Sequence, residues 1–472
     1  MTALAVALAE ACGGVLHPGR SGGESRPVLD ATHDSRAVET DWLYCCVPGT
    51  RVDGHDFAPA AVEAGAAALL VERVLDGVEV PQILVPSVRL AMGPVAAAVH
   101  GQPSNSLAVI GVTGTNGKSS IVQILADIFT YAGQRAEIVG TLKGSRTTPE
   151  ATDLQRLLAR ARDRRCEMVA VEVSSHALDM GRVDGTRFVS AIFTNLGHDH
   201  LDYHHTVESY FEAKAHLFTG GFTDHGVINV DDSYGRRLVA LIQDRITIDT
   251  FSLEQAEDLR FDGPTSRFQW NGHDVVLPLA GAHNVSNALG AATAAVGSGV
   301  PVEQVAAALE KTAPVRGRFE LVDGGQPFHV AIDYAHTPDA MESALTAARQ
   351  VAGPNRVLAV FGCGGDRDSQ KRPEMGRVVE RGADLAIVTS DHPRSEDPAE
   401  IIAAGLPGFE NPSTAVVEPD RRAGIAVALA EARPGDVVVI AGKGHETYQE
   451  IGETRLPFDD AEVARRLLEV RA

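Results

Sequence analysis

Short apolar runs separated by longer amphipathic stretches are the main pattern of hydrophobic and polar positions along this chain. Uninterrupted apolar runs of this length are typical of parallel strands that helices cover on both faces. The pattern therefore predicts an α/β fold with mostly parallel sheets. The runs form one series in the middle of the chain and another toward its end: 107–112, 168–173, 191–193 and 226–230, then 329–332, 357–361, 385–388 and 437–440.

Small or polar residues follow most of these runs, for example at 114–116, 174–176 and 194–197. In open α/β sheets, ligands bind at the carboxyl ends of the strands. We therefore expect the chemistry of this protein at those strand ends.

The most informative strand end is a glycine-rich loop at 113–119, which follows an apolar run and opens a helix-like segment. Glycines let backbone N–H groups approach phosphate oxygens, while Lys118 can reach the outer phosphates and the Ser119 hydroxyl can hold Mg²⁺. The general phosphate-loop pattern has glycine where this chain has Val112. A glycine-rich turn with a surface lysine is the alternative interpretation.

Length and the change of pattern along the chain predict several domains. A chain of 472 residues is too long for one ordinary core, and a polar, proline-containing linker at 100–106 ends the first block. We expect a smaller N-terminal α/β domain at 1–102 and a central domain at 103–318, whose mostly parallel sheet is like that of phosphate-loop ATPases. A C-terminal Rossmann-like α/β domain should follow at 319–472.

Composition and charge narrow the function classes. The chain has 44% hydrophobic and 22% charged residues, as a soluble globular protein does. It has no apolar run of about 18 residues that would predict a membrane span, and its N-terminus lacks the basic region of a signal peptide. Five cysteines without CxxC spacing indicate reduced thiols instead of a structural zinc site. A net charge of −21 disfavours nucleic acid as a partner, and we expect a cytoplasmic monomer.

Three further residues are candidates for chemistry. Glu172 lies within or at the end of a buried strand, where its carboxylate needs a cation or hydrogen-bond donors. A metal ion near the phosphates would meet that need, and backbone or arginine contacts are the alternative. His200 lies in a loop at 194–205 that is rich in histidine and aspartate and could bind a divalent metal, although such a loop is more often only polar. Lys214 lies among apolar residues, where the pattern alone favours a solvated or snorkelling lysine.

Taken together, these motifs resemble those of the Mur ligase family, the ATP-dependent amide-forming enzymes that build the peptide stem of bacterial cell-wall precursors. The family's own form of the phosphate loop accounts for Val112. Further segments resemble the branch of the family that adds the third residue of the stem: 34–36, 53–57, 147–149 and 441–446. The segments that match the family as a whole are 113–119, 172–178, 194–204, 283–288, 317–320, 333–338 and 364–368.

The resemblance implies an enzyme that uses ATP and Mg²⁺ to add meso-diaminopimelate to UDP-N-acetylmuramoyl-L-alanyl-D-glutamate. The D-glutamyl carboxylate would attack the γ-phosphate of ATP, and the amine of the diamino acid would then attack the acyl-phosphate and release phosphate. The resemblance implies that Lys118 holds the β- and γ-phosphates and that Ser119 holds one Mg²⁺. Glu172 and His200 would hold a second Mg²⁺, and Lys214 would be a carbamylated metal ligand.

The resemblance also implies binding residues. The ATP set would be Thr113, Gly114, Thr115, Asn116, Gly117, Lys118, Ser119, Asn284, Asn287, Arg318 and Asp333. The UDP-linked muramoyl dipeptide would contact His33, Ser35, Thr50, Arg51 and Val52 in the first domain and Thr147, Thr148, Ser174, Met180 and Arg182 in the second. Met180 stands where close relatives often have glutamine, so a polar substrate contact is not expected there.

The choice of amino acid depends on segment 391–394, which reads Asp-His-Pro-Arg where diaminopimelate-adding relatives have Asp-Asn-Pro-Arg. Arg394 and Arg367 could bind the distal carboxylate that diaminopimelate has and lysine lacks. Because His392 replaces asparagine, and because lysine-adding relatives also vary here, the same reaction with L-lysine stays open. The implied contacts of the diamino acid are Arg367, Asp391, His392, Pro393, Arg394, Gly442 and Glu446.

Three other functions are alternatives. One is a different Mur ligase, which the segments Gly-Asp-Arg-Asp at 365–368 and Asp-His-Pro-Arg at 391–394 disfavour. A folylpolyglutamate synthase would share the ATP and metal apparatus, but about 100 residues precede the phosphate loop here and carry the Asp-Ser-Arg segment 34–36. A catalytically idle nucleotide-binding protein is the non-enzyme alternative. The presence of Lys118, Glu172, His200 and Lys214 disfavours it.

Overall fold

The computed structural model describes residues 3–19, 25–144 and 146–470. In the first part of the chain, a sheet has the strand order β2-β7-β6-β5-β4, in which β4 to β7 run parallel and β2 runs antiparallel to β7; β1 and β3 form a separate antiparallel ribbon. The elements are β1 Ala3–Leu4, α1 Ala5–Cys12, β2 Val15–His17, β3 Pro27–Val28, β4 Asp30–Thr32, β5 Trp42–Cys45, α2 Ala58–Glu63, β6 Ala68–Val71, β7 Gln82–Leu84 and α3 Val88–Val99.

The middle of the chain forms a six-stranded parallel sheet and a smaller antiparallel one. The parallel sheet has the order β13-β12-β11-β8-β10-β9, and the antiparallel sheet has the order β14-β15-β16. The elements are β8 Ala108–Thr113, α4 Lys118–Tyr131, β9 Ala136–Val139, α5 Ala151–Asp163, β10 Met168–Glu172, α6 Ser175–Asp179, β11 Ser190–Phe193, α7 Leu201–His204, α8 Val207–Thr219, β12 His225–Asn229, α9 Ser233–Ile242, β13 Thr247–Phe251, β14 Glu257–Asp262, β15 Thr265–Trp270, β16 His273–Leu277, α10 Ala282–Gly297 and α11 Val302–Leu309.

The last part of the chain forms another six-stranded sheet, with the order β17-β18-β22-β19-β20-β21. Its strands run parallel except for the short edge strand β17, and β23 pairs with β24 in a separate hairpin. The elements are β17 Glu320–Leu321, β18 His329–Asp333, α12 Pro338–Ala352, β19 Val357–Phe361, α13 Lys371–Gly382, β20 Leu385–Val388, α14 Pro398–Gly405, β21 Val416–Val417, α15 Arg421–Glu431, β22 Val437–Ala441, β23 Tyr448–Ile451, β24 Thr454–Pro457 and α16 Asp460–Glu469.

The central parallel sheet is buried on both faces. Successive side chains of a strand point to opposite faces, and along β10 the residues Met168 and Ala170 pack into one hydrophobic cluster while Val169 and Val171 pack into another. Each face therefore needs apolar residues. This double burial is the physical reason that the strand reads as an uninterrupted apolar run.

The predicted α/β fold with mostly parallel sheets is confirmed, and each of the eight apolar runs overlaps a strand of the structure. The three main sheets occupy successive stretches of the chain, and we propose the domain limits 1–102, 103–318 and 319–472 on that basis. Among the described residues, no helix combines the length and the apolar character needed to cross a membrane.

Two sets of neighbouring strands position the candidate site. In the central sheet β11, β8 and β10 are adjacent and parallel, and in the last sheet β18, β22 and β19 are adjacent and parallel. Because parallel neighbours end at the same edge, the loops that follow each set lie side by side. A hydrogen bond from the His198 backbone N–H to the Asp339 carboxylate, at 3.0 Å, joins the two edges.

Candidate functional site

The glycine-rich loop connects β8 to α4 and is braced by the loop that follows β11. Gly114 and Gly117 have positive φ angles of 146° and 89°, and a Cβ atom at Gly114 would lie 1.8 Å from the Thr194 hydroxyl oxygen. The Asn116 backbone N–H donates to the side-chain oxygen of Asn195 at 2.9 Å. Glycine is required at 114 because no larger residue fits between the two loops.

Two lysines meet inside this loop. The ammonium groups of Lys118 and Lys214 each donate to the carbonyl oxygen of Gly114 at 2.8 Å. Burial lowers the pKa of Lys118. Burial and the neighbouring Lys118 together lower the pKa of Lys214 well below its usual value. Neither lysine forms an ion pair with a carboxylate in the described ranges.

Lys214 is buried, at 1% exposure, and does not snorkel to the surface. Its Nζ lies 4.5 Å from the centroid of the Tyr210 ring, whose hydroxyl in turn lies 3.1 Å from the Thr115 hydroxyl. Helix α8 therefore carries the lysine directly under the glycine-rich loop. The solvated-lysine interpretation is wrong because α8 packs its Tyr210 and Lys214 face against that loop.

Glu172, at the end of β10, is 1% exposed and accepts hydrogen bonds from neutral donors. Its Oε2 accepts from the Ser119 hydroxyl at 3.0 Å, and its Oε1 accepts from the Thr141 backbone N–H at 2.9 Å. The guanidinium of Arg318 donates to the Ser119 oxygen at 3.3 Å. Among the described residues no cation forms an ion pair with Glu172. A buried carboxylate beside a hydroxyl is a pair of hard oxygen ligands, which suits Mg²⁺.

His200 follows β11 in the loop that the sequence singled out. Its Nε2 lies 3.3 Å from the Asp199 carboxylate, and its ring lies 4.8 Å from that of His176. Burial lowers the pKa of His200 to about 4, so its ring nitrogen is available as a ligand at neutral pH. Within the described ranges, no group of three or more His, Cys, Asp and Glu side chains is placed to hold a metal ion by itself.

A cavity of about 410 Å³, here called the loop cavity, extends from the glycine-rich loop to the last domain. Its lining includes seven of the residues predicted to bind ATP: Asn116, Gly117, Ser119, Asn284, Asn287, Arg318 and Asp333. The other predicted residues, Thr113, Gly114, Thr115 and Lys118, do not line it. Both oxygens of Asp333 accept backbone N–H groups, from Phe319 and Ala335 at 2.7 Å.

A second cavity of about 600 Å³, here called the junction cavity, lies between the loop after β11 and the carboxyl ends of β18, β19 and β22. It brings together most of the residues predicted to bind the diamino acid, namely Arg367, Asp391, His392, Arg394, Gly442 and Glu446, and it also includes His200. Pro393 is buried and does not line it.

His392 is tied to two neighbours in this cavity. Its Nδ1 accepts the backbone N–H of Glu450 at 2.9 Å, and its Nε2 lies 2.8 Å from the Glu446 carboxylate. Since Nδ1 accepts, the proton is on Nε2 and is donated to Glu446. The Lys443 ammonium lies 3.1 Å from the same Nε2. Burial raises the pKa of Glu446, but the hydrogen bond from His392 and the nearby charges of His392, Lys443 and His445 together lower it below its usual value.

Arg394 is oriented by two oxygen atoms that sequence reasoning missed. Its Nε donates to the Glu450 carboxylate at 3.0 Å and its Nη1 donates to the Gly365 carbonyl at 2.7 Å. In the part of the chain that the structure describes, Nη2 has no hydrogen-bond partner. Arg455 binds the other oxygen of Glu450, with Nε at 2.9 Å. Arg394 therefore lines the cavity with its Nη2 still free to donate hydrogen bonds.

The residues predicted to bind the UDP-linked substrate lie outside both cavities. Ser35 and the exposed residues Thr50, Arg51 and Val52 follow the neighbouring parallel strands β4 and β5. The second group surrounds Thr148, whose hydroxyl donates to the Glu172 carbonyl at 2.8 Å and accepts the Ser174 backbone N–H at 3.0 Å. The hydroxyl oxygens of Thr147 and Thr141 lie 3.2 Å apart, within hydrogen-bond distance.

Arg182 belongs to the same group and lies in a cluster of charges. It pairs with the buried Glu150 at 3.0 Å, and its Nη2 lies 3.4 Å from the sulfur of Met180. The two predicted substrate groups are linked by His33, whose Nδ1 is 3.2 Å from the Thr152 hydroxyl on α5. This contact joins the first and second parts of the chain.

Comparisons with known proteins match all three parts of the chain. Three family models match, described as "Mur ligase family, catalytic domain" over residues 31–100, "Mur ligase middle domain" over 112–295 and "Mur ligase, glutamate ligase domain" over 317–444. A solved structure of a UDP-N-acetylmuramoyl-L-alanyl-D-glutamate–2,6-diaminopimelate ligase is 32% identical, with a TM-score of 0.70, and the match covers 100% of this chain and 99% of that one.

Proteins of the same name are more similar in sequence. The ligase from Chromobacterium violaceum is 43% identical, over 94% of each chain. The ligase from Geobacillus thermodenitrificans is 45% identical, over 93% of this chain and 94% of its own. The structure of MurF ligase from Thermotoga maritima in complex with ADP, 17% identical with a TM-score of 0.67, shares the fold. On this evidence, the chain belongs to the Mur ligase family.

Proposed function

We propose that this protein is an ATP-dependent ligase that joins meso-diaminopimelate to UDP-N-acetylmuramoyl-L-alanyl-D-glutamate in peptidoglycan precursor synthesis. The observation that carries the proposal is the placement of the two cavities. The loop cavity begins at a phosphate-type loop, and the junction cavity ends at Arg394 and Glu446. An activated carboxyl group made at the loop would face an amine bound in the junction. The relatives named above carry out the reaction that their names describe.

The first step needs positive charge at the glycine-rich loop. The substrate carboxylate attacks the γ-phosphorus of ATP, the bond to the β-phosphate oxygen breaks, and ADP leaves. Lys118, inside the loop, turns from the Gly114 carbonyl to the outer phosphates. Arg318, which lies at the end of the central domain and contacts Ser119 at 3.3 Å, adds a planar donor group. These donors reduce the repulsion between two anions that must react with each other.

Glu172 and Ser119 fit Mg²⁺, because a buried carboxylate without a cation partner lies 3.0 Å from a hydroxyl. We propose that Ser119 holds one Mg²⁺ and that Glu172 and His200 hold a second one, to which Lys214 would bind as a carbamate. The lowered pKa of Lys214 favours the free amine, which is the form that adds to CO₂ with loss of a proton. Bound Mg²⁺ would neutralise part of the negative charge of the phosphates.

The junction cavity is suited to a diamino acid with two carboxylates. The free Nη2 of Arg394, together with the exposed Arg367, can bind a distal carboxylate. The carboxylate of Glu446, which His392 keeps ionised, can accept the distal ammonium group. L-Lysine would leave Nη2 of Arg394 without its partner, and a site built to bind a carboxylate discriminates against an analogue that lacks it. Ser35, Thr148 and Arg182 would hold the UDP-linked dipeptide at the other side.

The test is phosphate release from ATP with the UDP-linked dipeptide and a panel of acceptors. We expect turnover with meso-diaminopimelate, and little with L-lysine or L-ornithine. Arg394→Gln should bring the kcat/KM values of meso-diaminopimelate and lysine together. Arg260→Gln, an exposed position of β14 that lines neither cavity, is the matched control. Turnover with lysine and none with meso-diaminopimelate would contradict the substrate assignment.

A further inference from the structure

Two residues separate the loop cavity from the junction cavity. Of all the described residues, Tyr334 and His336 are the ones that line both. They follow β18 in the turn that leads to α12, within the segment 333–338. The sequence identified this segment as a family motif, but it gave no role to His336.

The hydrogen bond of His336 determines which of its nitrogens is free. Its Nδ1 lies 2.8 Å from the carbonyl oxygen of Tyr334. A carbonyl oxygen can only accept, so Nδ1 carries the proton and donates it. The lone pair of the neutral ring is then on Nε2, which has no hydrogen-bond partner among the described residues. The fold thus holds a free imidazole acceptor at the boundary between the cavities.

The surroundings of His336, and its burial above all, favour the neutral ring. Burial lowers the pKa of His336. Asp199, in the loop after β11, raises this pKa, whereas Lys371 at the start of α13 and Arg318 ahead of β17 lower it. An uncharged imidazole at working pH can accept a proton, and a nearby carboxylate stabilises the imidazolium that results.

The second step of the proposed reaction requires such an acceptor. An amino acid enters the junction cavity as an ammonium ion, which has no lone pair for attack. His392 cannot take its proton, because its Nδ1 accepts from Glu450 and its Nε2 proton is donated to Glu446. His336, whose Nε2 is free, lines both this cavity and the loop cavity.

We propose that His336 is the general base of amide formation. Its Nε2 takes a proton from the ammonium group of the acceptor amino acid, and the electron pair of the broken N–H bond stays on nitrogen. That nitrogen attacks the carbonyl carbon of the acyl-phosphate, the bond from this carbon to the phosphate oxygen breaks, and phosphate leaves with the bonding pair. The amide nitrogen loses its second proton to the departing phosphate. This inference rests on the proposed function.

The test separates the two steps with His336→Gln and His336→Asn, whose amide groups can still donate a hydrogen bond but cannot act as bases. Amide formation with meso-diaminopimelate should fall by roughly 10²- to 10⁴-fold, the usual contribution of a general base. Hydroxylamine is mostly unprotonated at neutral pH and needs no base, so trapping of the acyl-phosphate as hydroxamate should stay near the wild-type rate. The acidic limb of the wild-type pH profile of kcat/KM should also disappear.

The control is His329→Gln, at the opposite end of β18 from the cavities, which should leave both rates unchanged. Equal losses of amide and hydroxamate in the His336 variants would overturn the proposal, because a structural or ATP-binding defect affects both. Unimpaired amide formation would overturn it as well. A wild-type enzyme that forms no hydroxamate would overturn the acyl-phosphate reaction itself, and with it the role of His336.

Discussion

Replacing Asp460 with asparagine should destabilise the last domain far more than the loss of one surface charge would. Asp460 and Arg421 form an ion pair in which both side chains are 0% exposed. The pair is bidentate, with Nε to Oδ1 at 2.8 Å and Nη2 to Oδ2 at 2.7 Å. Arg421 also donates to the carbonyl oxygens of Ser390 and Ala441. These two residues immediately precede Asp391 and Gly442, which we propose bind the diamino acid.

The size of the effect follows from the burial of the charge that is left behind. Asparagine keeps one acceptor oxygen but leaves the Arg421 guanidinium buried without its ion-pair partner, which costs about 3–5 kcal/mol. At about 1.4 kcal/mol per factor of ten, backbone amides of β19 and β22 that exchange only when this domain opens should exchange roughly 10²- to 10³-fold faster or more.

Hydrogen–deuterium exchange of the full chain is the suitable assay. The chain has two tryptophans, Trp42 and Trp270, and neither lies in the last domain, so tryptophan fluorescence would miss the change. The matched control is Glu462→Gln on the same helix α16, which removes an exposed pair with Arg466 worth at most about 1 kcal/mol. Exchange in Asp460→Asn no faster than in this control would refute the reasoning.

Three further predictions concern the site. Lys214→Ala should lower activity by roughly 10²-fold or more, as loss of a charge-stabilising group does, and a short-chain carboxylate should restore part of it in a phosphate-release assay; full activity without additive would contradict the carbamate. Burial lowers the pKa of His283 to about 4, below the value of about 6.5 that a histidine has in the unfolded chain. Between these two values the unfolded chain binds one more proton than the folded protein, so the folded protein loses stability as the pH falls. His283→Gln should show a smaller drop in Tm over this range, and an equal drop would contradict the prediction. Glu450→Gln removes the charged acceptor of Arg394 and should raise the KM of the diamino acid roughly tenfold with the KM of ATP unchanged; parallel changes in both would indicate a general defect.

The sequence predicted strands well where both faces of a strand are buried. Such strands, like β10, read as continuous apolar runs. The antiparallel sheet formed by β14, β15 and β16 was not predicted, because β15 alternates buried and exposed residues and carries polar side chains on its open face. The rule that found the parallel strands does not describe a half-exposed antiparallel strand.

The residues of the candidate site also fall into two groups, those that the sequence identified and those that it did not. Lys118, Ser119 and Glu172 could be found because they lie in local motifs, where spacing along the chain sets the geometry. Glu450 and His336 could not be assigned roles, because their importance comes from contacts between distant segments. Glu450 meets Arg394 across 56 positions of sequence. Pattern alone also favoured an exposed Lys214, whereas the packing of α8 under the glycine-rich loop buries it.

The central claim is that a substrate carboxylate is activated by direct transfer of phosphate from ATP. The most direct measurement is a single incubation with ATP, meso-diaminopimelate and UDP-linked dipeptide whose D-glutamyl carboxyl group carries ¹⁸O. Mass spectrometry of the released inorganic phosphate should find ¹⁸O that has passed from the carboxyl group through the acyl-phosphate. Phosphate that contains no ¹⁸O, formed alongside the amide product, would contradict the account.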